Sequence, residues 1–281
     1  MSVSFENMFS VEGKTALVTG GSRGIGEMIA AGLLSGGAKV YISSRRDDAC
    51  QATSKRLSDA YGGTCIALPS DLSQMDGIQS LVERFGEQES KLDILVNNAG
   101  AAWGAPIDEF PEIGWDKVMD INVKGVFFVT QKLLPLLRAG AADGAPSRVI
   151  NIGSIDGLKP SRFDAFSYGA SKAAVHHLTR FLAAHLTKEK ILCNAIAPGP
   201  YPTWMLSTGV GFGGETEDVD WESVGKANPS GRVGSPVDIA GLVQFLSSRA
   251  GGYMVGQVIA TDGGVVGAGE SCTKVVLQGP R

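Results

Sequence analysis

Seven short, nearly continuous apolar runs of strand length punctuate the chain: Thr15 to Val18, Val40 to Ile42, Cys65 to Leu68, Ile94 to Val96, Val149 to Ile152, Cys193 to Ile196 and Val258 to Ala260. Strands that lack a polar face are buried on both sides. Between them lie longer stretches with helical spacing, such as Met28-Ile29-Ala30-Ala31-Gly32-Leu33-Leu34. Such alternation predicts a parallel sheet covered by helices on both faces, a doubly wound α/β architecture. No linker rich in proline or charge divides the chain, so one domain over residues 1–281 is expected. Two segments break the alternation. Residues 201–228 hold Gly209, Gly211, Gly213 and Gly214 and read as a mobile loop between a late strand and a helix; the tail after Gly263 is irregular as well.

Composition narrows the field. With 43% hydrophobic and 19% charged residues, 281 residues suffice for a large core without staples. Twenty-five Lys and Arg against 29 Asp and Glu give a net charge of −4, which supplies no basic field for nucleic acid or anionic lipid. Cys50, Cys65, Cys193 and Cys272 show neither CxxC nor zinc spacing, so reduced thiols and no metal site are expected. The N-terminal run has no basic segment followed by an apolar one, and no stretch approaches 18 uninterrupted apolar residues. A cytoplasmic protein is the expectation.

Candidate chemistry begins with Tyr168-Gly169-Ala170-Ser171-Lys172. Four-residue spacing on a helix puts Tyr168 and Lys172 on one face, where an ammonium is expected to pull the phenol down toward neutrality. Near the start of the chain, Thr19-Gly20-Gly21-Ser22-Arg23-Gly24-Ile25-Gly26 follows the first strand and leads into a helix. Glycines there permit a tight turn and let a pyrophosphate approach the helix N-terminus. The second strand ends at Ser43-Ser44-Arg45-Arg46, about twenty residues on, where an NAD site places Asp or Glu. Arginine at this position predicts a grip on a 2′-phosphate, with Arg23 within reach of the same group, and hence NADP(H). Asp71, at the end of the third strand, is suited to the adenine or to capping the next helix.

These residues resemble the short-chain dehydrogenase/reductase family over nearly the whole chain. Thr19 to Gly26 is similar to its TGxxxGxG loop, Asn97-Asn98-Ala99-Gly100 to its NNAG element, Ser154 with Tyr168 and Lys172 to its catalytic core, and Pro198-Gly199 to its post-strand turn. Asn122 in Ile121-Asn122-Val123 matches the asparagine that completes the family's tetrad. The resemblance implies a seven-stranded Rossmann sheet, a proton-relay role for Asn122 and a homotetramer, because the family pairs helices corresponding to the stretches Trp115 to Arg138 and Tyr168 to His185 between subunits. The motifs most resemble 3-oxoacyl-carrier-protein reductases, and Trp103-Gly104 with Leu133 to Arg138 resembles their rhamnolipid-associated subgroup.

The cofactor contacts expected are Gly20, Ser22, Arg23, Gly24, Ile25 and Gly26 in the loop, Ser44 and Arg45, Asp71 and Leu72, Asn98, Ala99 and Gly100, Tyr168 and Lys172, and Pro198, Gly199 and Thr203. In the family's chemistry Tyr168 donates the proton, Ser154 holds the carbonyl oxygen and Lys172 tunes the phenol and binds the ribose. Trp103, Ser154, Asp156 and Trp204 are the substrate candidates, and Phe163, Phe166 and Met205 stand ready to extend an apolar pocket. His176, His177 and His185 are assigned to packing or surface. Two features depart from the pattern: Ser154 lies 14 positions before Tyr168, one more than in most members, and Asp156 brings a carboxylate where an acyl chain prefers none. The function expected is NADPH-dependent reduction of a ketone such as a 3-oxoacyl thioester. The rivals are a polyol, sugar or steroid alcohol dehydrogenase and a non-catalytic dinucleotide sensor, the latter disfavoured by an intact proton donor.

Overall fold

The structure, a computed structural model, describes residues 5–142, 144–209 and 216–268. Its strands are β1 (Thr15–Thr19), β2 (Lys39–Ser43), β3 (Cys65–Ala67), β4 (Ile94–Asn97), β5 (Ser147–Ile152), β6 (Ile191–Pro198) and β7 (Val258–Thr261). They form one parallel seven-stranded sheet in the order β3-β2-β1-β4-β5-β6-β7. All seven predicted runs are strands, with β5 and β6 longer than their apolar runs because both are central and buried along their whole length.

Side-chain alternation sorts the strands into two cores. Ala16, Val18, Val40, Ile42, Ile94, Val96 and Ile150 face one side, where they meet Ile29 and Leu33 of α1 (Gly24–Ser35), Leu57 of α2 (Asp47–Tyr61) and, from the far end of the chain, Ile239 and Val243. Leu17, Tyr41, Leu95, Val149 and Cys193 face the other, against Ile78, Leu81 and Phe85 of α3 (Met75–Gly86) and against Val129, Leu133, Leu137 and Ala183. A residue with no polar alternative on either face thus has a helix waiting on each, which is why the runs read as continuously apolar.

The helical stretch expected from Trp115 to Arg138 is not one regular helix. It comprises α4 (Glu112–Met119), a π turn over Asp120–Gly125, and α5 (Val126–Gly140). Asn122 sits inside the π turn with 1% of its surface exposed. Next come α6 (Phe166–Leu186), α7 (Trp221–Lys226) and α8 (Pro236–Ser247), the last supplying Ile239 and Val243 above. Part of the segment expected to be irregular, residues 201–228, has structure of its own. A π turn covers Met205–Gly209, and the Asp220 carboxylate accepts the Ser223 N–H at 3.0 Å to start α7. Gly211, Gly213 and Gly214, together with the tail from residue 269 and its Cys272, lie outside the described residues. Chain order reverses between β1 and β4, and the crevice this opens at the C-terminal strand ends is the natural ligand site of such sheets.

Candidate active site

Beyond Thr19 the chain turns through Gly20 (φ 66°) and Gly24 (φ 56°), conformations that L side chains avoid, and enters α1. A side chain at Gly26 would collide with the Gly20 carbonyl and the Asn98 amide, so the loop closes tightly on itself. The end of β4 holds it there. The Thr19 hydroxyl accepts the N–H groups of Asn98 (2.9 Å) and Ala99 (3.0 Å), and the Asn98 amide donates to the carbonyls of Thr19 (2.9 Å) and Gly20 (3.2 Å). The N-terminus of α1 thereby faces a cleft of about 440 Å³, lined here by Gly20, Ser22, Arg23, Gly24, Ile25, Gly26, Asn98, Ala99 and Gly100.

One end of the cleft is cationic. Ser44, Arg45 and Arg46 line it beside Arg23, and partial burial together with the charges of Arg45 and Arg46 holds the Arg23 guanidinium below its usual range. Arg46 is paired with Asp48 at 2.8 Å, whereas among the described residues neither Arg23 nor Arg45 meets a carboxylate. A glycine cradle at a helix N-terminus and two guanidiniums free of acids fit a 2′-phosphorylated dinucleotide. Asp71 is not brought into the cleft. It is exposed and accepts the N–H (3.1 Å) and hydroxyl (2.8 Å) of Ser73 in the turn ahead of α3, whose N-cap, Gln74, makes no side-chain capping bond, while Ser70 and Leu72 line the cleft beside it.

At the other end, β5 delivers Ser154 and α6 delivers Tyr168 and Lys172 to the same wall. The Ser154 hydroxyl accepts the Asp156 N–H at 3.1 Å. The Lys172 Nζ lies 5.4 Å from the Tyr168 ring centroid but donates to the Ile152 carbonyl at 2.8 Å. The expected depression of the phenol does not follow. Burial pushes Tyr168 up to about 12, with the Asp156 charge adding to the rise and a hydrogen bond to Ser154 opposing it, while burial pushes Lys172 down to about 8. The two groups share a desolvated wall that disfavours the charged form of each, and this outweighs their attraction. The consequence is a tyrosine that keeps its proton at neutral pH.

Asn122 stands behind this wall, not in the cleft lining. Its amide donates to the Ala101 carbonyl (2.9 Å) and Ser171 hydroxyl (2.9 Å) and its oxygen accepts the Ala101 N–H (2.8 Å), while Ser171 in turn donates to the Tyr168 carbonyl (2.7 Å). Thr19 and Ser171, which tie the loops to the helices, escaped the sequence reading; their only signal is a small hydroxyl embedded in a motif. His176 is buried against Gly153 and Gly157 and held near 4 by burial and the Lys172 charge, whereas His177 and His185 are exposed.

Pro198, Gly199, Thr203, Trp204, Met205, Phe163 and Asp156 also line the cleft. Desolvation raises the Asp156 carboxyl, against the pull of Ser161 and Lys159. Trp103, expected at the substrate, lies outside this lining. Its indole covers Gly114 of α4 and lies under the Lys117 ammonium at 5.1 Å, because a glycine there leaves a seat for the ring outside the cleft. Phe166 also points away, edge-on to Phe110 at 5.8 Å.

The chain belongs to the short-chain dehydrogenase/reductase family of oxidoreductases: residues 20–266 match the family described as Enoyl-(Acyl carrier protein) reductase. It is similar to the rhamnolipids biosynthesis 3-oxoacyl-[acyl-carrier-protein] reductase of Pseudomonas aeruginosa, 49% identical over 91% of this chain and 97% of that protein. The Pseudomonas aeruginosa RhlG/NADP active-site complex superposes with a TM-score of 0.86 at 48% identity, covering 92% of this chain and 98% of that one. A gluconate 5-dehydrogenase of Gluconobacter oxydans is 33% identical over 94% of this chain and 98% of its own length.

Proposed function

We propose that the protein is an NADPH-dependent reductase of a bulky ketone, with 3-oxoacyl thioesters as the substrate class. The observation that carries this is the meeting, in one cleft, of Tyr168 beside Ser154 and Lys172 with Arg23 and Arg45, neither of which meets a carboxylate among the described residues. The neighbours solved as NADP complexes and the reductase relative support it.

NADPH, when bound, supplies the hydride to the carbonyl carbon. Ser154 holds the carbonyl oxygen, and Tyr168 passes its phenolic proton to that oxygen as charge develops there. Lys172, charged below about pH 8, stabilises the phenolate left behind and steadies the nicotinamide ribose. Asn122 serves by locking the segment at Ala101 to α6, which keeps Tyr168 in register with the strand ends. Met205, Leu206 and Phe163 offer apolar surface to an acyl chain.

A second reading rests on Asp156. A half-buried carboxylate in the cleft lining suits the hydroxyls of a sugar ketone better than a methylene chain, in keeping with the gluconate dehydrogenase relative. NADPH oxidation followed by absorbance across 3-oxoacyl thioesters of increasing length and a set of sugar ketones separates the two. The first predicts kcat/KM climbing with chain length by up to about 0.8 kcal/mol per buried CH₂; a flat profile with strong turnover of a sugar ketone selects the second.

Two further assignments belong to this reading. Ile113 and Trp115 of α4 and Phe181 of α6 are exposed, at 72%, 41% and 55%, on the helices the family pairs, which supports a homotetramer testable by light scattering. No helix among the described residues is long and apolar enough to cross a membrane, and Cys50, Cys65 and Cys193 are buried free thiols, in keeping with a cytoplasmic enzyme.

A further inference from the structure

Trp204 was expected at the substrate, yet its indole lies against the cofactor loop, with the Arg23 guanidinium carbon 4.3 Å from the ring centroid. The contact is reinforced by the backbones beneath it. Gly24, next to Arg23, approaches Thr203, next to Trp204, so closely that a side chain at Gly24 would stand 3.3 Å from the threonine methyl. Behind Trp204 the turn is secured by Thr203, whose carbonyl accepts the N–H groups of Leu206 (3.1 Å) and Ser207 (3.0 Å). The indole is therefore presented on a built turn.

A guanidinium stacked on a ring engages its face and leaves the N–H groups of its edge free. Among the described residues the Arg23 guanidinium donates no hydrogen bond, and its neighbours in the cleft are the like charges of Arg45 and Arg46. Left alone, a flexible arginine in that corner swings away from two cations. The indole face, 4.3 Å from the guanidinium carbon, supplies an attraction that opposes this and narrows the side chain's range within the cleft.

Resting on the NADPH reading above, we propose that Trp204 is a specificity-determining residue for the cofactor, holding Arg23 flat for a ribose 2′-phosphate and so joining cofactor choice to the loop that borders the substrate. Trp204 is then a positioning residue that acts through Arg23, and an acyl chain meets the far side of the same turn, at Met205 and Leu206.

Calorimetric Kd values for NADPH and NADH, measured on the full chain, test this with Trp204→Ala, Trp204→Phe, Arg23→Ala and the double variant. The expected result is that Trp204→Ala weakens NADPH about three- to tenfold while NADH changes less than about twofold, as befits a partly exposed cation–π contact. Trp204→Phe retains most of the discrimination, and on the Arg23→Ala background Trp204→Ala adds nothing further. Equal weakening of both cofactors by Trp204→Ala, or an undiminished effect without Arg23, overturns the proposal, since Trp204 would then merely cover the cleft. A wild type that binds NADPH and NADH alike overturns the NADPH reading itself, and a wild type that discriminates while Trp204→Ala does so equally well overturns the Trp204 assignment alone.

Discussion

The two sides of the cleft are built from different materials. On the strand side, polar groups are spent on one another. Asn97 donates to Thr130 and to Asn151, and Asn151 donates to Thr179, each at 2.9 Å and all at most 3% exposed. Thr19 and Asn98 tie the end of β1 to that of β4, and Asn122 and Ser171 tie the segment at Ala101 to the Tyr168 carbonyl. On the loop side, beyond Pro198, Trp204 is 42% exposed and the neighbouring lining is mostly apolar. Buried networks are costly to alter in part, whereas loop side chains are exchanged cheaply. In the function proposed above, proton transfer rests on the strand side and substrate choice on the loop side.

The strongest way to break this contrast is at the proton donor. Tyr168→Phe deletes one oxygen and little volume, so turnover on a confirmed substrate is expected to drop by roughly 10²–10⁴-fold while NADPH Kd stays within a few-fold. Steady-state kinetics and calorimetry measure the two; retention of more than about a tenth of kcat would remove Tyr168 from the role of acid. Next in size is the cationic corner. Arg45→Asp replaces an acid-free guanidinium with a repulsive carboxylate and is expected to weaken NADPH binding by about 10–100-fold while improving NADH. Unchanged discrimination would leave the 2′-phosphate to Arg23 alone.

The sequence made the strand side legible because its signals are local. An apolar run marks a strand, a glycine loop after it marks a helix N-terminus, and Tyr168 and Lys172 share a helix face by spacing alone. The parallel sheet and its order of alternating strands and helices followed from these. What spacing did not carry is electrostatics and direction. Burial raises the phenol where proximity to an ammonium suggested a fall, and Lys172 donates to the Ile152 carbonyl, a partner twenty positions away in sequence. The π turn at Asp120–Gly125 was hidden because a bulge of one turn has no residue signature of its own in a sequence. Trp103 and Trp204 illustrate the loop side: both follow strand ends, yet one is seated on Gly114 and the other on Arg23, and only tertiary packing decides which.

A pH profile sharpens the electrostatic half of the comparison. Ketone reduction needs Tyr168 protonated and Lys172 charged. The phenol, near 12, stays protonated throughout the working range, so the alkaline limb belongs to Lys172, whose ammonium is present below about 8 and lost above it. The rate of reduction is therefore expected to be level toward neutral pH and to decline above about pH 8, approaching tenfold per unit. A profile level to pH 9.5 would mean that the lysine charge is held by a partner on the bound ligand.

The smallest expected effect lies at Trp103, and its smallness is informative. If the loop after β4 helped to choose the substrate, removing indole surface there would raise KM for long acyl chains. The ring instead covers Gly114 and receives the Lys117 ammonium, outside the cleft lining. Trp103→Phe is thus expected to leave kcat and KM within about twofold for every substrate length, and to lower stability by roughly 1 kcal/mol through lost packing and a weaker cation–π contact. Chemical denaturation reads the second quantity and the thioester series reads the first. A tenfold rise in KM confined to long chains would place Trp103 on the substrate side after all, and the division between a fixed catalytic wall and a selective loop beyond Pro198 would have to include the segment after β4.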